Sequence, residues 1–220
     1  MALNKHFLSA LGMTAMLIGS AANASSAQIQ VDFRNNAPTG GTLQTPVWVG
    51  FHDGSFDTFT DGQAATAGLE ALAEDGNTNV LSSEFNASTS GGGVDGRVGT
   101  GPIGPQGSAS NIFTVNTDGS NNYFSYASML LTSSDFFIGN GNPLAIDLAD
   151  LLSGAVSSLS FDVFRVYDAG TEVNDLQMPR RQVFLVFQEV KQCLIKVTMK
   201  MVLSRLWGLR VQKFHIVLMH

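Results

Sequence analysis

The sequence contains very little cysteine and histidine, which excludes several ways of holding a fold or running a reaction. Cys193 is the only cysteine among the 220 residues, so the chain cannot form an internal disulfide. Of its four histidines, only His52 lies between residues 25 and 175. The sequence also lacks the Gly-x-Ser-x-Gly pattern of a hydrolase nucleophile. We therefore expect a fold held by its own core or by bound ions, and we do not expect an enzyme.

Basic residues are scarce in the first part of the chain, and acidic residues are scarce in the last part. Residues 1–175 contain 4 Lys and Arg against 17 Asp and Glu, a formal charge of −13. Residues 176–220 contain 8 Lys and Arg against the single acid Glu189, a formal charge of +7. The acidic part argues against a nucleic-acid partner. The abrupt change in charge indicates that the two parts are under different structural or functional constraints.

The amino terminus has an apolar run that is too short to cross a bilayer. Phe7 to Ile18 is apolar and follows Lys5, and Ala22-Asn23-Ala24 offers the small residues that signal peptidase requires. This pattern predicts a signal peptide over residues 1–24. We expect a secreted protein, whether periplasmic, attached to the cell surface or extracellular.

Most of the remaining sequence up to residue 175 has the patterning of an all-β protein. Alternating apolar and polar residues predict strands at residues 27–34, 45–51, 110–116, 123–131 and 158–167. Residues 64–74 predict a short helix that Gly76 ends, and residues 145–152 predict a further helical turn. The glycine-rich residues 91–107 predict a long mobile loop. The fold class is therefore an antiparallel β-sandwich with one or two short helices.

Two segments of the predicted sandwich resemble paired motifs of a known family. Residues 128–139 read Ser-Met-Leu-Leu-Thr-Ser-Ser-Asp-Phe-Phe-Ile-Gly, and residues 167–172 read Tyr-Asp-Ala-Gly-Thr-Glu. These runs are similar to the spondin amino-terminal (F-spondin-like) domain family, and the resemblance covers residues 27–175. It implies a non-catalytic extracellular β-sandwich with the topology of calcium-phospholipid domains. The lack of cysteines in this span points to a bacterial-type secreted member.

The resemblance also implies a calcium site, because Asp135, Asp168 and Glu172 fall on the family's motif positions. Calcium binds six to eight oxygens, mostly from carboxylates and backbone carbonyls on loops. Asp135 and Asp168 each follow a predicted strand, and Glu172 lies four residues after Asp168. The alternative is that the two aspartates are turn formers that hydrogen-bond to their own backbone.

A second acidic segment, residues 51–62, leaves an enzymatic alternative open. Asp53, Asp57 and Asp61 recur every four residues, a spacing that does not match an EF-hand loop. His52 beside Asp53 and Asp57 is the basis for a secreted hydrolase as the competing function. A lone histidine near a strand end is more commonly packed in the core or solvated.

These observations divide the chain into a signal peptide (1–24), a spondin-type domain (25–175) and an atypical basic tail (176–220). A reading-frame shift or disorder would account for the tail, which also contains the uncharged, β-prone window Val183 to Phe187. Its mixture of basic and apolar residues makes membrane-surface binding a further alternative. However, Lys196, Lys200 and Lys213 do not share one helical face, so we do not expect membrane contact. We expect adhesion, matrix or cell-surface binding to an extracellular protein or glycan, with Ca²⁺ ordering the loops.

Overall fold

The computed structural model describes residues 25–131, 133–163, 165–172 and 212–219. The predicted signal peptide, Cys193 and the Val183 to Phe187 window lie outside these residues, so the predictions made for them stay predictions. Within the described ranges, no helix combines the length and the apolar character needed to span a bilayer.

Ten strands and three helices make up the described part of the chain. In chain order they are β1 (Ser26–Arg34), β2 (Leu43–Gln44), β3 (Val47–His52), α1 (Ala67–Asp75), α2 (Asn79–Ser88), β4 (Val94–Val98), β5 (Ser108–Asn116), β6 (Tyr123–Leu131), β7 (Phe136–Gly139), α3 (Ala149–Leu152), β8 (Ser158–Val163), β9 (Tyr167–Asp168) and β10 (Gln212–Met219).

The strands form two antiparallel sheets. The smaller sheet has the order β5-β1-β10-β8. The larger has the order β4-β3-β6-β7-β9, with β2 pairing to β6 as its sixth strand. The prediction of an all-β antiparallel sandwich is confirmed, with three short helices where one or two were predicted.

A hydrophobic core fills the space between the two sheets. Alternation along β1 turns Ile29, Val31 and Phe33 inward, and all three are fully buried. Phe33 lies directly opposite Phe214 of β10, with ring centroids 5.1 Å apart. Such apolar cross-strand pairs on the buried face fix the register of the sheet.

A second core lies on the other face of the larger sheet, beneath α1 and α2. Trp48 of β3 packs edge-on against Phe85 of α2 at 5.4 Å and against Phe56 at 5.6 Å. Trp48 and Phe85 are completely buried. Because β3 packs against the inter-sheet core on one side and the helices on the other, all six of its residues are buried.

β4 corrects one part of the prediction of a long mobile loop over residues 91–107, because Val94–Val98 is a strand whereas residues 99–107 are turns and irregular structure. This strand pairs with β3 along five residues. Gly96 lies so close to Phe113 that an added Cβ would come within 2.9 Å of the ring. Packing against β5 therefore requires glycine at position 96, and this glycine does not signal a loop.

β10 comes from the segment that the sequence analysis assigned to the atypical tail. It lies between β1 and β8, and its residues Phe214 and Ile216 are fully buried. Gln212 is also buried, and its Nε2 donates to Asn35 Oδ1 at 3.1 Å. The structure thus adds one strand of the tail to the sandwich, while the suggested origin of the tail in a frame shift stays a prediction. Lys213, one of the basic residues of the membrane-binding alternative, lies on this strand.

Candidate functional site

The two loops that carry the predicted calcium ligands meet at one end of the larger sheet. Asp135 directly precedes β7, and the following residue, Phe136, pairs with Asp168 of β9. The backbone carbonyl of Asp135 accepts a hydrogen bond from Ala169 N at 3.2 Å. Asp135 and Asp168 are therefore neighbours at the same end of the sandwich, as the sequence analysis requires.

The carboxylate of Asp135 holds the loop that follows β9 in place through hydrogen bonds. Its Oδ2 accepts hydrogen bonds from the backbone N–H groups of Thr171 at 3.0 Å and Glu172 at 3.2 Å. Asp135 is completely buried, and within the described residues its Oδ1 has no hydrogen-bond partner. The buried Oγ1 of Thr171 also lacks a partner there. The geometry supports a loop-closing role for one carboxylate oxygen and leaves the other oxygen unused.

The other two predicted ligands do not converge on this carboxylate. Asp168 and Glu172 are exposed, and Asp168 Oδ1 accepts from Gly170 N at 2.8 Å in a turn of its own. No group of three or more His, Cys, Asp or Glu side chains in the described ranges is placed to hold a metal. Among the buried side-chain oxygens of these loops in the described residues, Asp135 Oδ1 and Thr171 Oγ1 have no hydrogen-bond partner, whereas calcium takes six to eight oxygens. The residues fit calcium only in part, and the site stays a prediction.

His52, the basis of the hydrolase alternative, is a buried structural group. Its Nδ1 accepts a hydrogen bond from Gly54 N at 3.0 Å, and its Nε2 lies 2.9 Å from Ser125 Oγ. Since Nδ1 acts as an acceptor, Nε2 carries the proton and donates to the serine. Burial lowers the pKa of His52 to about 4, against the opposing effect of the Asp53 carboxylate.

This arrangement differs from that of a hydrolytic dyad. A general base needs a free lone pair facing the serine hydroxyl, whereas Nε2 of His52 presents a proton to Ser125. The carboxylates of Asp53 and Asp57 accept hydrogen bonds from Ser55 N and Phe59 N and so close their own turns. The described geometry therefore supports packing and loop closure as the role of His52.

Three acidic loops gather at the end of the sandwich where β3 ends and β6 begins. His52 at the end of β3 pairs with Tyr123 at the start of β6, and Tyr123 forms a bridge with Asp147. The loops of residues 53–62, 117–122 and 140–148 consequently lie at this end, which we call the acidic pole.

Four exposed aspartates of the acidic pole each close their own loop with an Asx turn. In each turn a carboxylate oxygen accepts from the N–H two residues later: Asp53 from Ser55 at 3.0 Å, Asp57 from Phe59 at 3.3 Å, Asp118 from Ser120 at 3.0 Å and Asp147 from Ala149 at 2.8 Å. Hydrogen bonds from Ser55 and Ser120 lower the pKa values of Asp53 and Asp118. The pole is therefore negatively charged and locally rigid at neutral pH.

Sequence analysis did not single out Asp118 or Asp147. Asp118 lies in a turn cluster between two predicted strands, in the run Thr-Asp-Gly-Ser, which is a turn signal. This run predicts the turn. It does not predict that the turn lies beside the loop of residues 53–62. The position depends on the pairing of β3 with β6.

The fold and these loops define a class of protein: an antiparallel β-sandwich with acidic loops at its end. Residues 27–180 match the family model Spondin_N, the spondin N-terminal domain, over more than half of the chain. The chain belongs to this family. The family is a non-catalytic domain family typically found in extracellular proteins. A search of curated proteins found no match.

Proposed function

We propose that this chain is a secreted, non-catalytic spondin-type domain for adhesion to a matrix or cell surface, and that it binds through its acidic pole. The partner is an extracellular protein or glycan that carries cationic groups. Binding to preordered loops requires no reaction and no cleft, in keeping with the membership of a non-catalytic domain family.

The observation that carries this proposal is the combination of charge and rigidity at the pole. Residues 25–172 contain 3 Lys and Arg against 16 Asp and Glu, so the sandwich repels other anions and attracts cations. Asx turns order the loops of the acidic pole before any partner binds. Little conformational entropy is therefore lost on binding.

A charge-removal experiment tests the proposal. Asn forms the same Asx turn as Asp but carries no charge. The triple variant Asp53→Asn, Asp118→Asn and Asp147→Asn should therefore keep the loops and lose about tenfold in affinity for immobilised polylysine. The readout is the dissociation constant from biolayer interferometry at two salt concentrations.

The matched control removes three charges from α1, away from the pole. It combines Glu70→Gln, Glu74→Gln and Asp75→Asn, and it should change the affinity by less than about threefold. Equal losses in the two variants would show that binding responds only to net charge, and the proposal for the pole would then fail.

A calcium requirement is the second candidate, favoured by the two partnerless oxygens of Asp135 and Thr171. A site with a dissociation constant of about 1 mM would stabilise the fold by about 1.4 kcal/mol at about 10 mM calcium. We expect the melting temperature to rise by a few degrees in calcium but not in magnesium, and the rise to disappear in Asp135→Asn and Thr171→Ala, the two residues whose oxygens define the candidate site. An unchanged melting temperature at millimolar calcium would remove the ion from the proposed function without affecting the polylysine result.

A further inference from the structure

β8 forms an open edge of the smaller sheet. Within the described residues it pairs with β10 alone, at the end of the order β5-β1-β10-β8. The strand contains no proline and no lysine, and Asp162 is its only charged residue. Natural edge strands normally carry prolines, lysines and other charged residues, which prevent pairing with another strand. β8 has only one such residue, Asp162.

The free backbone groups of this edge can be assigned from the ladder with β10. Leu218 donates its N–H to Ser157 O at 3.2 Å, so these opposite residues form a hydrogen-bonded pair. Hydrogen-bonded and non-hydrogen-bonded pairs alternate along an antiparallel ladder. The N–H and C=O groups that point away from β10 therefore belong to Ser158, Ser160 and Asp162.

A side-chain contact agrees with this assignment. Ser160 lies opposite His215, and its Oγ is 2.7 Å from His215 Nδ1. Opposite side chains come closest in non-hydrogen-bonded pairs, as this short distance requires. The backbone of Ser160 is thus directed to the open edge.

The inward side chains of β8 are incompletely covered at the same edge. Leu159 and Phe161 face the core and pack against it, and Phe161 stacks on Phe214 at 5.1 Å. Both side chains nevertheless remain half-buried, in contrast to the fully buried Phe214. An additional strand on this edge would bury apolar surface and satisfy the free backbone groups together.

We propose that a second copy of this chain occupies the edge, with β8 pairing antiparallel to β8 of the other copy about a two-fold axis. Centring the axis on Ser160 places Ser160 opposite itself, Leu159 opposite Phe161 and Ser158 opposite Asp162. The outward-directed groups of Ser158, Ser160 and Asp162 then all meet their counterparts, giving three hydrogen-bonded pairs. A shift of the axis to Phe161 would leave the groups of Ser158 without a partner in β8.

The pattern of β8 is complementary to itself in this register. The inward apolar residues Leu159 and Phe161 extend the core of one copy into that of the other, and the polar residues stay outward. Asp162 faces a serine, so no like charges oppose each other. Because the two-fold axis uses the same β8 edge of both copies, this pairing closes as a dimer and does not propagate into a fibre.

Symmetric cross-linking tests the register. In a Cys193→Ser background, Ser160→Cys should give a disulfide-linked dimer under mild oxidation, since opposite Cα atoms about 5.5 Å apart suit a disulfide. Ser158→Cys lies on the same face of the same strand and is the matched control. Alone it should cross-link at least about tenfold less, and it should cross-link to Asp162→Cys when the two proteins are mixed.

Self-association of the full chain gives a second measurement. The mass from light scattering should double with rising concentration. Ser160→Lys places two ammonium groups opposite each other and should weaken the dimer about tenfold, whereas Ser158→Lys faces Asp162 and should not weaken it.

Two results would overturn the proposal. One is equal cross-linking of Ser158→Cys and Ser160→Cys. The other is a monomer at all concentrations. Protection of the Ser158 and Ser160 amides from hydrogen exchange in that monomer would show that another segment of the same chain, such as Val183 to Phe187, covers the edge.

Discussion

The two sheets of the sandwich differ in how completely they are covered and in where their strands come from. The larger sheet is built from residues 43–168 and packs on both faces, against the inter-sheet core and against α1 and α2. The smaller sheet combines β1 with β10, and its outer face carries exposed side chains such as Ile112 and Lys213. The larger sheet is therefore covered on both faces, whereas the smaller one leaves its outer face exposed and depends on a strand distant in sequence.

The largest expected effect comes from breaking the smaller sheet at β10. Phe214→Ala should lower the free energy of unfolding by about 3 to 5 kcal/mol, since the ring is fully buried against Phe33, Tyr126 and Phe161. Urea denaturation measures the change. The exposed neighbour Lys213→Ala is the control and should change stability by less than about 0.5 kcal/mol. A loss below about 1 kcal/mol for Phe214→Ala would mean that β10 does not occupy this position.

The next largest effect is a pH dependence within the larger sheet. His52 has its ordinary pKa of 6.5 when unfolded and about 4 when folded, so between these values the unfolded chain binds more protons. Stability therefore falls as the pH drops from 6.5 to 4, with a contribution on the order of 2 to 3 kcal/mol.

The matched variant for this prediction is His52→Asn, whose Oδ1 can accept from Gly54 N but does not titrate. The difference in unfolding free energy between pH 7 and pH 4 should be smaller by the same 2 to 3 kcal/mol than in the wild type. Parallel pH profiles for the two proteins would exclude His52 as the source.

A smaller loss is expected where the larger sheet meets its helices. Trp48 Nε1 donates to Ser82 Oγ at 3.1 Å and to Asp95 Oδ2 at 3.0 Å. Trp48→Phe keeps most of the aromatic packing but removes this donor, and it should cost about 1 to 2 kcal/mol in thermal or urea unfolding. If Trp48→Phe in a Ser82→Ala, Asp95→Ala background costs the same amount, the hydrogen bonds do not contribute.

The smallest expected loss of stability comes from the contact between α1 and α2. Glu84 of α2 accepts from Gly68 N and from Thr66 Oγ1, both at 2.8 Å, and so caps the start of α1. Glu84→Ala should destabilise the protein by about 1 kcal/mol. Ser83→Ala, on the same helix, is the comparison and should cost less. Identical melting temperatures for the two variants would contradict a capping role.

The parts of the fold that the sequence predicts are those with simple periodicity. The bounds predicted for β6 are the observed ones, and β1 and β5 begin within two residues of the prediction. β7 gives no alternating signal because all four of its residues are buried. β10 was missed because its place depends on pairing with β1, which local patterns do not report.

The candidate site was predictable to a similar extent. The sequence placed Asp135 and Asp168 in one candidate site, since each follows a predicted strand and both fall on the family's motif positions. The role of Asp135 as an acceptor for Thr171 N and Glu172 N could not be predicted, because it depends on how the second loop folds back onto the first.

The pairing of β1 with β10 also constrains the order in which the protein can fold. Val31 and Ile216 are adjacent in the sheet but are made nearly a whole domain apart on the ribosome. At about 5 to 20 residues per second, roughly 10 to 40 seconds separate their synthesis. During that interval the side of β1 that faces β10 has no neighbour, so the nascent chain stays accessible to chaperones until β10 is made.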